Sequence, residues 1–198
     1  WPDCPLLPLP EPVMPRILGI DPGSIKTGFG VIETLGSRTS YVASGLIRLP
    51  AVSLPEKLKI IFSSVSAIIR EHGPVEMAIE EVFLARDPRA AIKLGQARGA
   101  AIVAGVEAGL AVSEYSAKTV KKSVVGTGSA TKDQVTHMVV RLLKLDDKPR
   151  EDAADALAIA LCHAQTLRSA IALSGGVAAG TVGKTRYARG RLKEIPRR

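Results

Sequence analysis

An α/β layer fold with a mixed five-stranded sheet is predicted by three observations. Three consecutive segments near the start alternate between apolar and polar residues and are joined by short links containing Gly or Ser, so they read as antiparallel strands. Two later apolar runs, 75–80 and 111–115, are short enough for strands and each follows a helical pattern. The rest of the chain has apolar residues at helical spacing. Strands that first meander and then alternate with helices give a sheet covered by helices.

The strands at 16–21, 27–33 and 39–49 open the fold. Residues 54–71 carry Leu58, Ile61, Phe62, Val65, Ile68 and Ile69 at helical spacing. The run 75–80 is a fourth strand, ending in acid. Asp87-Pro88 then starts a helix with proline at its first position, extending to about Ala108. A fifth strand follows at 111–115 and a short helix at 117–125. Ser129 is read as the cap of another helix, with Val135, Met138, Val139, Leu142 and Leu143 on one face. A last, very regular helix spans 151–167. No internal repeat and no linker interrupts the chain before Ser169.

The 198 residues are 46% hydrophobic and 23% charged, enough for one domain with a real core. Residues 1–13 hold five of the 13 prolines and are expected to be an extension outside the fold, with Met14 as the natural start. Of the 27 basic and 19 acidic residues, seven and one respectively lie from Ser169 onward. The tail 169–198 thus supplies most of the +8 net charge, while residues 1–168, with 20 basic and 18 acidic groups, are nearly balanced. A basic tail rich in Gly, Ala and Ser is expected to be solvated, adding at most non-specific attraction for phosphate. Cys4 and Cys162 form no metal-binding pattern, which excludes a zinc module and a disulfide scaffold. Cys162 reads as a core residue. No apolar run has the length of a membrane span and no export signal is visible, so no membrane association and a cytoplasmic location are expected.

Chemistry is suggested by the acids. Asp21 closes the first strand, and Glu80 closes the fourth with Glu81 beside it. Asp152 and Asp155 are three apart at the start of the last helix and share a face. Each alone reads equally as a turn, first-turn or solvent-facing residue. If the first and fourth strands are neighbours and the last helix crosses their ends, the four converge. Such a cluster is tolerable only with cations, and oxygen-only ligands favour Mg²⁺ or Mn²⁺ over zinc.

The blocks RILGIDPGS (16–24), AIEEVF (78–83), KLGQARG (93–99), VVGTGSATK (124–132) and DAADALAIA (152–160) resemble, in order, the signatures of the RuvC family of Holliday junction resolvases. The likeness covers roughly residues 14–168. It implies a ribonuclease-H-like fold and a homodimer that nicks two opposing strands of a four-way DNA junction, leaving 5′-phosphate and 3′-hydroxyl ends. By position it implies that Asp21, Glu80, Asp152 and Asp155 are the metal-binding catalytic acids, holding two Mg²⁺ per subunit with Mn²⁺ able to substitute. It implies DNA contact by Phe83, and cleavage-supporting roles for Lys121 and Lys132. It also implies cooperation with a branch-migration motor of the RuvA and RuvB type. Arg89 and Lys118 are further DNA-contact candidates, alongside Arg86, Lys93, Arg98 and Lys122. Gly95, Gly99, Ala100 and Ala101 suggest that the helix ending near Ala108 permits close approach in a dimer. His163 could approach the acids, although a packed helix histidine accounts for it better. The competing readings are another nuclease of the same fold, a non-catalytic junction binder, and a lobe of a sugar-kinase/actin-type ATPase. The ATPase would need a second lobe and a second phosphate loop, for which the chain has no room.

Overall fold

The computed structural model describes residues 14–81 and 88–173. Its elements in chain order are β1 (Arg16–Asp21), β2 (Lys26–Leu35), β3 (Arg38–Arg48), α1 (Leu54–His72), β4 (Glu76–Glu80), α2 (Pro88–Glu107), β5 (Ala111–Tyr115), α3 (Ala117–Val125), α4 (Lys132–Leu143) and α5 (Glu151–Leu173). The strands form one sheet in the order β3-β2-β1-β4-β5. β1–β2 and β2–β3 are antiparallel, and Asp21 lies opposite Gly28. β1–β4 and β4–β5 are parallel, with Ile20 opposite Ile79 and Glu80 opposite Tyr115. The expected mixed sheet is present, and the condition set for the acids is met: β1 and β4 are neighbours, and their carboxyl ends coincide.

β1 is buried on both faces, which explains its unbroken apolar run. Leu18 and Ile20 point into a core closed by α1 and α2, with Ile61, Val65, Met77, Ile79, Ala101 and Ala104. Ile17 points the other way, into a core closed by α3, α4 and α5, with Val120, Val139, Leu157 and Cys162. Cys162 is the core residue its setting predicts. α5 lies closest to the sheet. Its inner face is built from alanines, and β1 and β2 present glycines to it. A Cβ added at Gly19 would overlap the Ala156 carbonyl, and one at Gly28 would overlap the carbonyl of Asp152. These two glycines set the height of α5, and with it the height of its first-turn acids.

Two predicted features need correction. α4 is capped by Thr131, not Ser129: Thr131 Oγ1 accepts from the Gln134 N–H at 3.3 Å, and the Gln134 side chain returns to the Thr131 N–H at 2.9 Å. This reciprocal pair satisfies two end donors at once, whereas Ser129 bonds only Thr127 within its own turn. α5 continues to Leu173 instead of ending at Leu167. Arg168 on this added turn donates to the Ser37 carbonyl at 2.7 Å, tying the helix to the β2–β3 turn. Of the four small residues proposed for a dimer contact, Ala101 is fully buried in the chain's own core and Ala100 is packed against it. Gly95 and Gly99 face open space.

His163 is a structural residue. It is 2% exposed, lies 2.7 Å from the Tyr115 hydroxyl through Nδ1 and 2.6 Å from Glu76 through Nε2, and so ties α5 to β4 and β5. His163→Ala empties a fully buried position and removes its contacts with the Tyr115 hydroxyl and the Glu76 carboxylate. It is expected to cost about 2–4 kcal/mol, read by urea denaturation. No described helix is long and apolar enough to cross a membrane.

Candidate active site

Parallel pairing of β1 with β4 brings the strand-end acids Asp21 and Glu80 side by side, and α5 delivers Asp155 and Asp152 from its first turns. The cluster is electrostatically strained. Burial, reinforced by the charges of Glu80, Asp155 and Asp152, pushes the Asp21 carboxyl up to about 8, and Asp21 hydrogen-bonds Glu80. Burial also raises Glu80, opposed by that hydrogen bond and by the charges of Lys132 and Lys121. Asp155 is raised by burial against the pull of Lys132. Asp21 thus feels Glu80, Asp155 and Asp152, and Asp155 in turn feels Asp152.

Lysines flank the cluster. Lys132, at the start of α4, reaches Glu151 at 2.6 Å and Asp155 at 3.4 Å. Hydrogen bonding to Glu151 pushes its ammonium above the usual lysine range. Lys26, at the start of β2, forms an ion pair with Asp152. Lys121 on α3 is close enough to lower the proton affinity of Glu80. Lys118 lines a second recess with Pro22, Glu80, Glu81 and Ser116, and its stem lies against Gly128. Arg98 is committed within the protein: it donates to the Glu80 carbonyl at 3.1 Å and pairs with Glu114, holding the end of β4 in place. Arg89 lies exposed on the first turn of α2. Phe83 lies outside the described residues.

The donor set suits a hard divalent cation: all oxygen, four carboxylates, and a proton affinity raised by crowding that a cation would relieve. Among the described residues no three His, Cys, Asp or Glu side chains stand close enough together to hold a metal ion, and Asp152 and Asp155 are each paired with a lysine ammonium. Lys26 and Glu151 are the members that sequence reasoning missed. Pairing of Lys26 with Asp152 depends on how β2 meets α5, which no local pattern encodes. Glu151 was visible as a neighbour of Asp152 but reads as an ordinary first-turn acid.

A mixed sheet in this order, with acids at the ends of its two central strands and on the helix crossing them, defines a ribonuclease-H-like protein with a nuclease-type carboxylate cluster. The family model described as crossover junction endodeoxyribonuclease RuvC matches residues 17–163. The chain is 55% identical over 183 residues to the crossover junction endodeoxyribonuclease RuvC of Teredinibacter turnerae, covering 90% of this chain and 99% of that one. It is 61% identical over 158 residues to that of Pseudomonas entomophila, covering 80% and 91%. Among solved structures it resembles Thermus thermophilus RuvC in complex with Holliday junction substrate. That match has a TM-score of 0.75 and 35% identity, and covers 79% of this chain and 96% of that one. The chain belongs to the RuvC family of crossover junction endodeoxyribonucleases.

Proposed function

We propose that this chain resolves four-way DNA junctions in recombination and repair by paired, symmetric nicks that leave 5′-phosphate and 3′-hydroxyl ends. The observation that carries the reading is the gathering of Asp21, Glu80, Asp152 and Asp155 around the carboxyl ends of β1 and β4, in a chain of this family. These four acids would hold divalent cations, Mg²⁺ or Mn²⁺ and two per subunit, which when bound supply activation of water and neutralisation of phosphate charge. Water attacks phosphorus in line, and the bond to the 3′ oxygen breaks. Lys121 and Lys132 lie beside the acids and would offset the charge that builds on the phosphoryl oxygens. Lys132 also fixes the carboxylate of Asp155, so it both positions an acid and contributes charge. Lys132→Gln is expected to lower the cleavage rate of bound junction about 10²-fold in single-turnover assays.

Two nicks on opposing strands call for two sites, hence a homodimer. The outer face of α2 would serve as its interface: Ile92, Val103 and Val106 are exposed there and align with the open Gly95 and Gly99. Arg89, Lys118 and Phe83 remain DNA-contact candidates, and cooperation with a branch-migration motor of the RuvA and RuvB type belongs to the same reading. The test is to incubate the protein and Mg²⁺ with a labelled four-way junction, a plain duplex and an RNA–DNA hybrid. Paired nicks confined to the junction are expected. Equal cutting of the duplex would defeat the proposal.

A further inference from the structure

A cleft of about 770 Å³ opens beside Asp152 on the β2–β3 side of the acids. It lies between the end of β3 and the start of α5. Leu46 and Leu49 line it together with three cationic residues, Lys26, Arg48 and Arg150. Lys26 and Arg48 are directly opposed in the antiparallel β2–β3 register. Like charges in that position repel, and a negative group between or beside them relieves the cost. Part of that need is met by the chain itself, because Lys26 is paired with Asp152. The other acid of the cleft, Glu151, is held by Lys132 from outside it. The guanidinium groups of Arg48 and Arg150 are therefore left over, exposed on the two walls of one groove that ends at a candidate catalytic carboxylate.

The basic groups associated with the acids in the proposal above, Lys118, Lys121 and Lys132, belong to α3 and α4. Lys118 and Lys121 follow β5 in the chain, and the recess lined by Lys118 opens at the ends of β4 and β5, on the other flank of the cluster. A strand laid over the acids thus meets cations on both sides. We infer that the Arg48–Arg150 cleft is a second phosphate-binding subsite, which seats a backbone phosphodiester of the cleaved strand next to the scissile one. The planar forks of the two arginines suit phosphate oxygens, and the leucines offer an apolar wall to a sugar or base. Lys26 sits at the seam, able to exchange Asp152 for a phosphate oxygen. The inference rests on the functional reading above and assigns a substrate contact to residues outside it.

The test uses the full chain with Arg48→Gln, Arg150→Gln, the double variant, and Lys59→Gln on α1 as a charge-matched control. Binding of a labelled four-way junction is measured by fluorescence anisotropy without divalent cation, over a series of salt concentrations. Each single variant is expected to weaken binding about 3–10-fold and to reduce the slope of log K against log salt by about one, and the double variant by about two. Arg48→Lys should restore the slope. Mn²⁺ binding and the melting temperature should stay at wild-type values. The inference is overturned if the wild type nicks junctions while both glutamine variants bind with unchanged affinity and slope, or if Lys59→Gln produces the same losses. A wild type that neither binds nor cuts junctions would overturn the functional reading first, and this inference with it.

Discussion

Asp21→Asn is expected to abolish junction cleavage, by at least about 10³-fold, while leaving junction binding near wild type and making the metal-free protein more stable at alkaline pH. The first effect follows from removing the central acid of the cluster, buried at the end of β1, hydrogen-bonded to Glu80 and close to Asp152 and Asp155. The second follows from the same crowding. Burial and like charges raise the Asp21 carboxyl from 3.8 to about 8, so folding favours its protonated form. That contribution to stability is complete below about pH 4 and is lost as pH rises through about 8. An amide needs no proton and adds no charge, so Asn escapes the loss. The difference is expected to be on the order of a few kcal/mol, discounted for the coupling among the acids. Thermal melts at pH 5 and pH 8.5 in chelator measure it. The wild type should lose stability between the two far more than the variant, and Mn²⁺ should restore the wild type mainly at the higher pH. A wild type as stable at pH 8.5 as at pH 5 would contradict the electrostatic account.

Gly28→Ala is expected to damage both stability and activity, although position 28 bears no chemistry of its own. The new methyl would overlap the main chain of Asp152, and backbone, unlike a flexible side-chain tip, has little room to yield. The cost is expected to be about 2–4 kcal/mol in urea unfolding. In the fraction that folds, α5 must ride higher over β2 and carry Asp152 and Asp155 away from Asp21 and Glu80. A displacement of about 1 Å at a catalytic group is worth roughly 10² in rate, so single-turnover cleavage should fall by that order. Gly36→Ala makes a useful comparison: this glycine has space around it and a positive φ of 58°, so the change should strain the β2–β3 turn yet leave cleavage intact. Wild-type cleavage by Gly28→Ala would show that the height of α5 does not govern the site.

The sheet was legible because its strands carry the two periodicities that separate strand from helix. Ile17, Leu18 and Ile20 form the apolar run of a strand buried on both faces, while β2 and β3 were marked more by their short connecting turn than by strict alternation of burial. The acids were legible for a related reason: Asp21 and Glu80 interrupt apolar strands at their ends, and Asp152 and Asp155 fall on one helix face. What could not be read was whatever depends on the meeting of remote segments. The ion pair of Lys26 with Asp152 joins positions with no local relation. Gly19 and Gly28 look like ordinary strand glycines until α5 is laid across them. The cap of α4 was readable but misread: Thr131 has a glutamine three residues on, the signature of a reciprocal cap, whereas Ser129 does not. The end of α5 was misplaced because nothing after Leu167 breaks a helix before the Ser-Gly-Gly at 174–176.

Everything in this account depends on four carboxylates from β1, β4 and α5 acting as one cation-binding unit. Calorimetric titration of Mn²⁺ into the wild type, Asp21→Asn and Asp155→Asn at pH 8 measures this without any DNA present. Saturable binding to the wild type, weakened at least about tenfold in both variants, is predicted. Equal Mn²⁺ affinity in all three proteins would contradict it.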